Sequence, residues 1–368
     1  MDRLRKLSRI LVDETAFAAS AGRDADQREL WDLAVRHSVH LLLARQIAED
    51  DTGRWRAEVD VAAREALAAA SVLEELQRRE LTRLSHAFAR RRIHALLLKG
   101  AAWAYTLYER PQLRPRVDTD VLVDTSACGP AEDLLLSLGY EPAVENVMGL
   151  ASSQRHYRYV DEQQVSHPLD LHWRVTNPIV FAEALPFDRL WARSVPVPIS
   201  GARTLCAVDG LLLACLHRIA HHGGQSDLSW LMDVHLLAGA LTAEQWADFA
   251  TEAERGGLRG VCAESLRGAV ERFGTAIPAG VQQSVDRAGR ERPDQLFLGR
   301  GVSPLGLLLS DWRAIGSWKG RLRLVKEHIC PDRSYMVARY GPHGPWSLPF
   351  LYGRRALGGL RRWIVHGR

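Results

Sequence analysis

A chain of 368 residues is long for one core, and 46% hydrophobic with 25% charged content matches an ordinary globular protein of two or three packed units. The net charge of +4 suits a phosphate-bearing ligand but falls well short of the basicity that would by itself mark a nucleic-acid binder. Five scattered cysteines without a CxxC indicate neither a zinc site nor a disulfide framework. No signal-like apolar stretch opens the chain and no apolar run nears the roughly 20 residues of a membrane span, so it reads as cytoplasmic.

Residues 1–92 read as helical. Leu30, Leu33, Ala34, Leu41 and Leu42 recur at roughly helical spacing. No glycine or proline interrupts residues 60–98, which predicts a long helix feeding directly into the first strand. On that helix Leu73, Leu76, Leu84 and Phe88 mark the inward face. Glu74, Glu75, Arg78 and Arg79 mark a solvated face of i,i+4 pairs. Residues 93–200 change to a mixed pattern. IHALLL is a strand, Ala101 to Tyr108 a short helix, Arg110 to Pro115 a turn, and Val117 to Val123 a second strand. Pro130 to Leu138 reads as a helix closed by Gly139, and Tyr157–Val160 and Val165–Trp173 as two further strands. Helix returns over 201–275, with Thr242 and Gln245 as a capping box, and 276–368 mixes short helices with loops. The expectation is an α+β protein, a small mixed-sheet core over 93–200 embedded between helical regions, the second of which closes a cleft.

Asp118 and Asp120 head the second strand. Residues two apart in a strand share a face, so these carboxylates lie side by side, and Asp170 in LDLHW can join them from a neighbouring strand. Sugar-nucleotide glycosyltransferases and haloacid-dehalogenase phosphatases place the apolar run before the acids; here RPRV precedes and VLV follows. A calcium loop would need more oxygen ligands close by. A plain turn with solvated acids is the remaining bland reading. Three convergent carboxylates instead describe a divalent-metal site, where two ions about 3.5–4 Å apart can flank an in-line displacement at phosphorus.

Alternation puts Asp170 and His172 on one strand face. Asp170 would bind the metal that activates an attacking hydroxyl, or take its proton. His172 would contact a phosphate, orient Asp170, or simply be a buried, hydrogen-bonded histidine. Lys99-Gly100-Ala101 sits where strand becomes helix, a place where backbone amides favour phosphate oxygens. Arg114 and Arg116 either clamp a triphosphate or balance the aspartates, with phosphate contact expected for one of them. His217 and His221 stand i,i+4, but HxxxH without a glutamate is a poor metalloprotease signal. Core or capping histidines are expected, lining of the cleft being the alternative. Trp230, Leu231 and Leu236 read as helix core and Asp233 as an internal hydrogen-bond partner. The tail FLYGRRALGGLRRWIVHGR offers at most a weak basic contact, and a solvated basic end is preferred over a membrane or nucleic-acid surface.

A glycine turn at a helix start, a DxD opening a strand and a third acid on a later strand together resemble the polymerase-β-type nucleotidyltransferase superfamily. Within it, LLLKGAAWAYTLY, RPRVDTDVLV, LGY and LDLHW resemble the group known as uncharacterised nucleotidyltransferase family proteins, over roughly residues 25 to 275. The resemblance implies a nucleotidyltransferase core dependent on Mg2+ or Mn2+. It would move a nucleoside monophosphate from a nucleoside triphosphate such as ATP to an acceptor hydroxyl on a small molecule, protein or RNA, releasing pyrophosphate. Asp118, Asp120 and Asp170 would be the catalytic and metal triad. Lys99, Gly100, Ala101, Arg114, Arg116 and His172 would face the nucleotide. At Ala101 the chain departs from the superfamily, where serine often follows the glycine, so Lys99 or backbone amides must hold the terminal phosphates. A catalytically inactive core acting as a nucleotide-binding or regulatory module is the alternative.

Overall fold

The computed structural model describes residues 3–20, 24–143, 152–199, 201–222, 227–287 and 304–329, with 336, 340 and 349–354. Four short helices, α1 (Arg3–Ile10), α2 (Glu14–Ser20), α3 (Asp24–Arg36) and α4 (His40–Ala48), lead into α5 (Ala57–Arg90), a helix of 34 residues. Alanine, leucine, glutamate and arginine dominate α5, and all lose little freedom in a helix. The helix does not run directly into the first strand. Arg92, at a φ of 55°, breaks it, and β1 (Ala95–Leu98) starts after that turn.

The next elements are α6 (Lys99–Thr106), β2 (Thr119–Val123), α7 (Cys128–Ser137), β3 (Glu141–Pro142), β4 (Gln154–Val160) and β5 (Ser166–His172). Then come α8 (Phe187–Arg193), β6 (Val195–Pro196) and β7 (Arg203–Thr204). The seven strands form one mixed sheet in the order β3-β4-β5-β2-β1-β7-β6. β2 runs antiparallel to β1 and parallel to β5, and β5 runs antiparallel to β4. The central strands are apolar because both their faces are covered. Leu96, Leu97, Leu98, Val121, Leu122 and Val123 are all buried. The described part of the chain is thus an α+β fold whose small mixed sheet sits among helices.

Beyond the sheet follow α9 (Ala207–His222), α10 (Leu228–Gly239), α11 (Ala243–Arg255), α12 (Arg259–Phe273) and α13 (Ala279–Arg287). Thr242 and Gln245 form the expected capping box on α11, and Gly274, at a φ of 66°, closes α12 in the left-handed region. Leu228, Leu231, Met232 and Phe273 from these helices share a core with Leu7, Leu30, Leu43 and Val59 from the N-terminal ones. Helices from before and after the sheet therefore pack as one body. The last two are α14 (Pro304–Ala314) and α15 (Trp318–Ile329). Most of HICPDRSYMVARYGPHGPW, the tail from 355 onward, and Cys330 lie outside the described residues.

The middle of α5 corrects one expectation. Leu73 is 41% exposed, whereas Glu74 turns inward, and only Glu75 forms the surface pairs, with Arg78 and Arg79. Glu74 is drawn in by partners distant in sequence. Its Oε2 accepts from Arg116 Nη1 at 2.7 Å, its Oε1 accepts from Tyr105 Oη, and Arg116 Nη2 also donates to Tyr105 Oη at 3.1 Å. The Arg116 side chain is only 3% exposed, so α5 holds the proline–arginine segment ahead of β2 by a buried ion pair.

Breaking a buried pair strands the surviving charge, whereas replacing both partners does not. Arg116→Met is expected to lower the free energy of unfolding by about 3 kcal/mol. Glu74→Met in the same chain should restore most of it. Urea denaturation of the two variants checks this, and a single variant as stable as the parent would refute it.

Candidate active site

At the end of β1 the chain reverses sharply. Leu98 is extended, with φ −116° and ψ 164°, and Lys99 adopts a φ of 49°, a left-handed conformation uncommon outside glycine. Such strain gathers at functional sites. Here it delivers the Lys99 side chain onto the sheet, where Nζ donates to Asp120 Oδ1 at 2.7 Å. Gly100 follows in a tight place, since a Cβ there would stand 3.3 Å from Arg116 Cβ. Leu98, at the N-cap of α6, offers the first amides of that helix no side-chain acceptor.

Asp120 and Asp170 are register partners on the parallel strands β2 and β5, and so stand side by side on one face. His172, two residues further along β5, shares that face. Its Nε2 bonds Asp120 Oδ1 at 2.7 Å, while its buried Nδ1 finds no partner. Ligand atoms of Asp120, Asp170 and His172 all lie within 4.8 Å of one another, a grouping able to hold a metal ion. Two carboxylates and an imidazole form a donor set that could hold a divalent cation.

Electrostatics separate the acids. Burial alone would raise Asp120, but the Lys99 ammonium and the His172 bond hold its carboxyl well below the usual carboxylate range. Asp118 goes the other way. Burial, and then the negative charges of Asp120 and Asp170, push it from 3.8 to about 6. Asp118 therefore feels both neighbours, although it lies outside the grouping formed by Asp120, Asp170 and His172. Strand pairing begins only at Thr119, so the pleat does not fix the Asp118 side chain as it fixes Asp120.

Two side chains that sequence reasoning missed hold Asp170. On β4, Gln154 Nε2 donates to Oδ2 at 2.8 Å and His156 Nδ1 bonds Oδ1 at 2.6 Å. Reading that strand from Tyr157 onward starts it three residues late. The alternation of Gln154, His156 and Arg158 in QRHYRYV was the available signal.

Of the expected phosphate-facing residues, Lys99, Gly100 and Ala101 sit at the turn beside Asp120 and His172 stands among the acids. Both arginines are engaged by helices. Arg116 meets Glu74 on α5. Arg114 donates to Asp233 on α10 through Nε at 2.9 Å and Nη2 at 2.7 Å, and Tyr108 Oη donates to the same carboxylate at 2.8 Å. Asp233 is thus the internal hydrogen-bond partner its setting suggested. His217 and His221 pack ring against ring at 4.9 Å on α9, where His221 Nε2 meets Thr176 Oγ1 at 3.1 Å. Neither joins the metal-competent grouping among the described residues.

Residues 23–274 match the model of a family described as "Uncharacterised nucleotidyltransferase". No curated protein matches the chain. Among the described residues no helix is long and apolar enough to cross a membrane.

A carboxyl raised by burial in the fold destabilises it once ionised. The neutral form is present in both states below pH 3.8, and the cost grows as pH rises through about 6. Asp118→Asn should therefore stabilise the protein at pH 8 without divalent ions by on the order of 2 kcal/mol, and this gain should fade between about pH 6 and 3. Thermal unfolding across that range checks it, and a destabilised variant at pH 8 would contradict it.

Proposed function

From the premise that the chain belongs to the uncharacterised nucleotidyltransferase family, we propose that it transfers a nucleoside monophosphate from a nucleoside triphosphate to an acceptor hydroxyl, releasing pyrophosphate. The observation that carries this reading is the in-register pair Asp120–Asp170, with Lys99 and the start of α6 beside it. Asp120, Asp170 and His172 would hold the divalent ion, with Asp118 close enough to contribute its charge. Such an ion would act as a Lewis acid, supplying positive charge at the reacting phosphoryl group.

The remaining work falls to the chain itself. The first amides of α6, with Gly100 giving the backbone a close approach, would receive phosphate oxygens. Lys99 would leave Asp120 Oδ1 for the triphosphate as the nucleotide enters. Asp170 would take the proton from the acceptor hydroxyl. The His156 side chain, 47% exposed and bonded to Asp170 Oδ1, links that carboxylate to solvent. Arg114 and Arg116, paired with Asp233 and Glu74, would act on the nucleotide indirectly, by fixing the segment that carries Asp118.

A second reading, an inactive nucleotide-binding or regulatory module, draws on the same contact. The Lys99 ammonium already neutralises Asp120, and Ala101 offers no hydroxyl to a phosphate. Pyrophosphate release separates the two.

With each labelled nucleoside triphosphate and Mg2+ or Mn2+, offered small-molecule, RNA and protein fractions, the parent chain should release pyrophosphate and label one fraction or itself. Asp120→Asn should lower that rate by about 10^3-fold, as expected when one charged group that orders the reacting atoms is lost. A variant with full transfer activity would overturn the assignment. Nucleotide binding without turnover in the parent chain would favour the inactive module.

A further inference from the structure

We propose that α14 and α15 form a docking surface for an anionic membrane. The inference stands apart from the transferase reading, because it concerns residues beyond the matched span 23–274. It starts from charge. Residues 304–368 hold twelve Lys and Arg against three Asp and Glu, a net +9, while the whole chain carries +4, so the first 303 residues sum to −5. An asymmetry of that size within one chain points to an acidic surface as partner.

The two helices place apolar side chains among those cations. On α14, Leu305, Leu309 and Trp312 recur at i, i+4 and i+7 and are 42%, 43% and 37% exposed. On α15, Trp318 is 69% and Leu322 60% exposed, and further along the chain Phe350 is 73% exposed. Lys319, Arg323 and Lys326 are exposed on α15 as well. At 100° per residue, these five α15 residues cover an arc of about 140°, and Leu324, fully buried, points the opposite way. The helix is therefore anchored by one face and offers the other, apolar along one edge and cationic along the second. Arg323 shares its charge with Glu327 at 2.8 Å, whereas Lys319 and Lys326 form no ion pair among the described residues. Arg321 is used internally. It donates to Ile315 O at 2.9 Å and lies 5.9 Å from the Trp312 ring centre, which ties the end of α14 to the first turn of α15.

Tryptophan, leucine and phenylalanine beside lysine and arginine are the composition of a helix lying in a headgroup layer. A phosphate backbone would use the cations but has no use for the exposed Trp318, Leu322 and Phe350, so a bilayer is favoured over nucleic acid. No helix among the described residues is long and apolar enough to span, so the contact is peripheral.

The test uses the full chain and sedimented vesicles. Binding should be strong to vesicles with about 30% phosphatidylserine, at least about ten-fold weaker to pure phosphatidylcholine, and lost in about 0.5 M salt. Tryptophan emission should shift to the blue on binding. W318E/L322E should weaken binding by about ten-fold or more, and K319E/K326E should remove the preference for anionic lipid. Circular dichroism and divalent-ion binding should be unchanged in both variants. Equal binding to both vesicle types, no binding to either, or tighter binding to duplex RNA that W318E/L322E leaves intact would overturn the proposal.

Discussion

The site is organised around one buried anion. Asp120 sits in the middle of the sheet, where an ionised carboxylate is costly unless charge and hydrogen bonds offset its lost hydration. Both offsets arrive at the same oxygen, Lys99 Nζ from the end of β1 and His172 Nε2 from β5, each at 2.7 Å. Each contact needs a particular backbone feature. Lys99 reaches Asp120 from the left-handed turn between β1 and α6. His172 reaches it because β2 and β5 run parallel with Asp120 opposite Asp170 and Leu122 opposite His172. A one-residue slip of either strand would turn these side chains to the other face. The register of the three central strands and the electrostatics of the site are therefore one constraint.

The helices serve that constraint from outside the sheet. The segment between α6 and β2 carries two arginines around Pro115, and each is tied to a different helix. Arg116 is held by Glu74 on α5, ahead of the sheet, and Arg114 by Asp233 on α10, beyond it. Tyr105 and Tyr108, both on the α6 side, complete the two networks through their hydroxyl groups. The approach to Asp118 is thus pinned at two points by helices that themselves share a core. This explains why so much helix surrounds so small a sheet. Without those anchors the segment would be a surface loop free to carry Asp118 away from β5.

Much of this was legible in the sequence because it depends on local pattern. The apolar runs of β1 and β2, the breaks at Pro111 and Gly139, the capping box of α11 and the shared face of Asp170 and His172 all follow from spacing over a few residues. Other features depend on partners far away in the chain. Glu74 looks like one more solvated glutamate until Arg116 meets it, 42 residues on. Lys99 shows no sequence mark of its left-handed backbone. The strands β3, β6 and β7 are two residues each, too short for any periodicity to register. Gln154 and His156 lie in a visible alternation, but their role depends on β4 pairing with β5, so that His156 falls opposite Asp170.

Charge closes the argument. The site gathers the carboxyl groups of Asp118, Asp120 and Asp170 around one ammonium, that of Lys99, and the imidazoles of His172 and His156. They sit on a part of the chain that is itself net negative, −5 over the first 303 residues. A triphosphate approaching alone would meet repulsion from this face, and the amides at the start of α6 supply only about half a charge in return. The proposed triphosphate would therefore need cations beside it. The gathering of acids is thus a physical reason why the site could hold a divalent ion. The same neighbouring acids add to burial, the larger cause, in raising Asp118 to about 6.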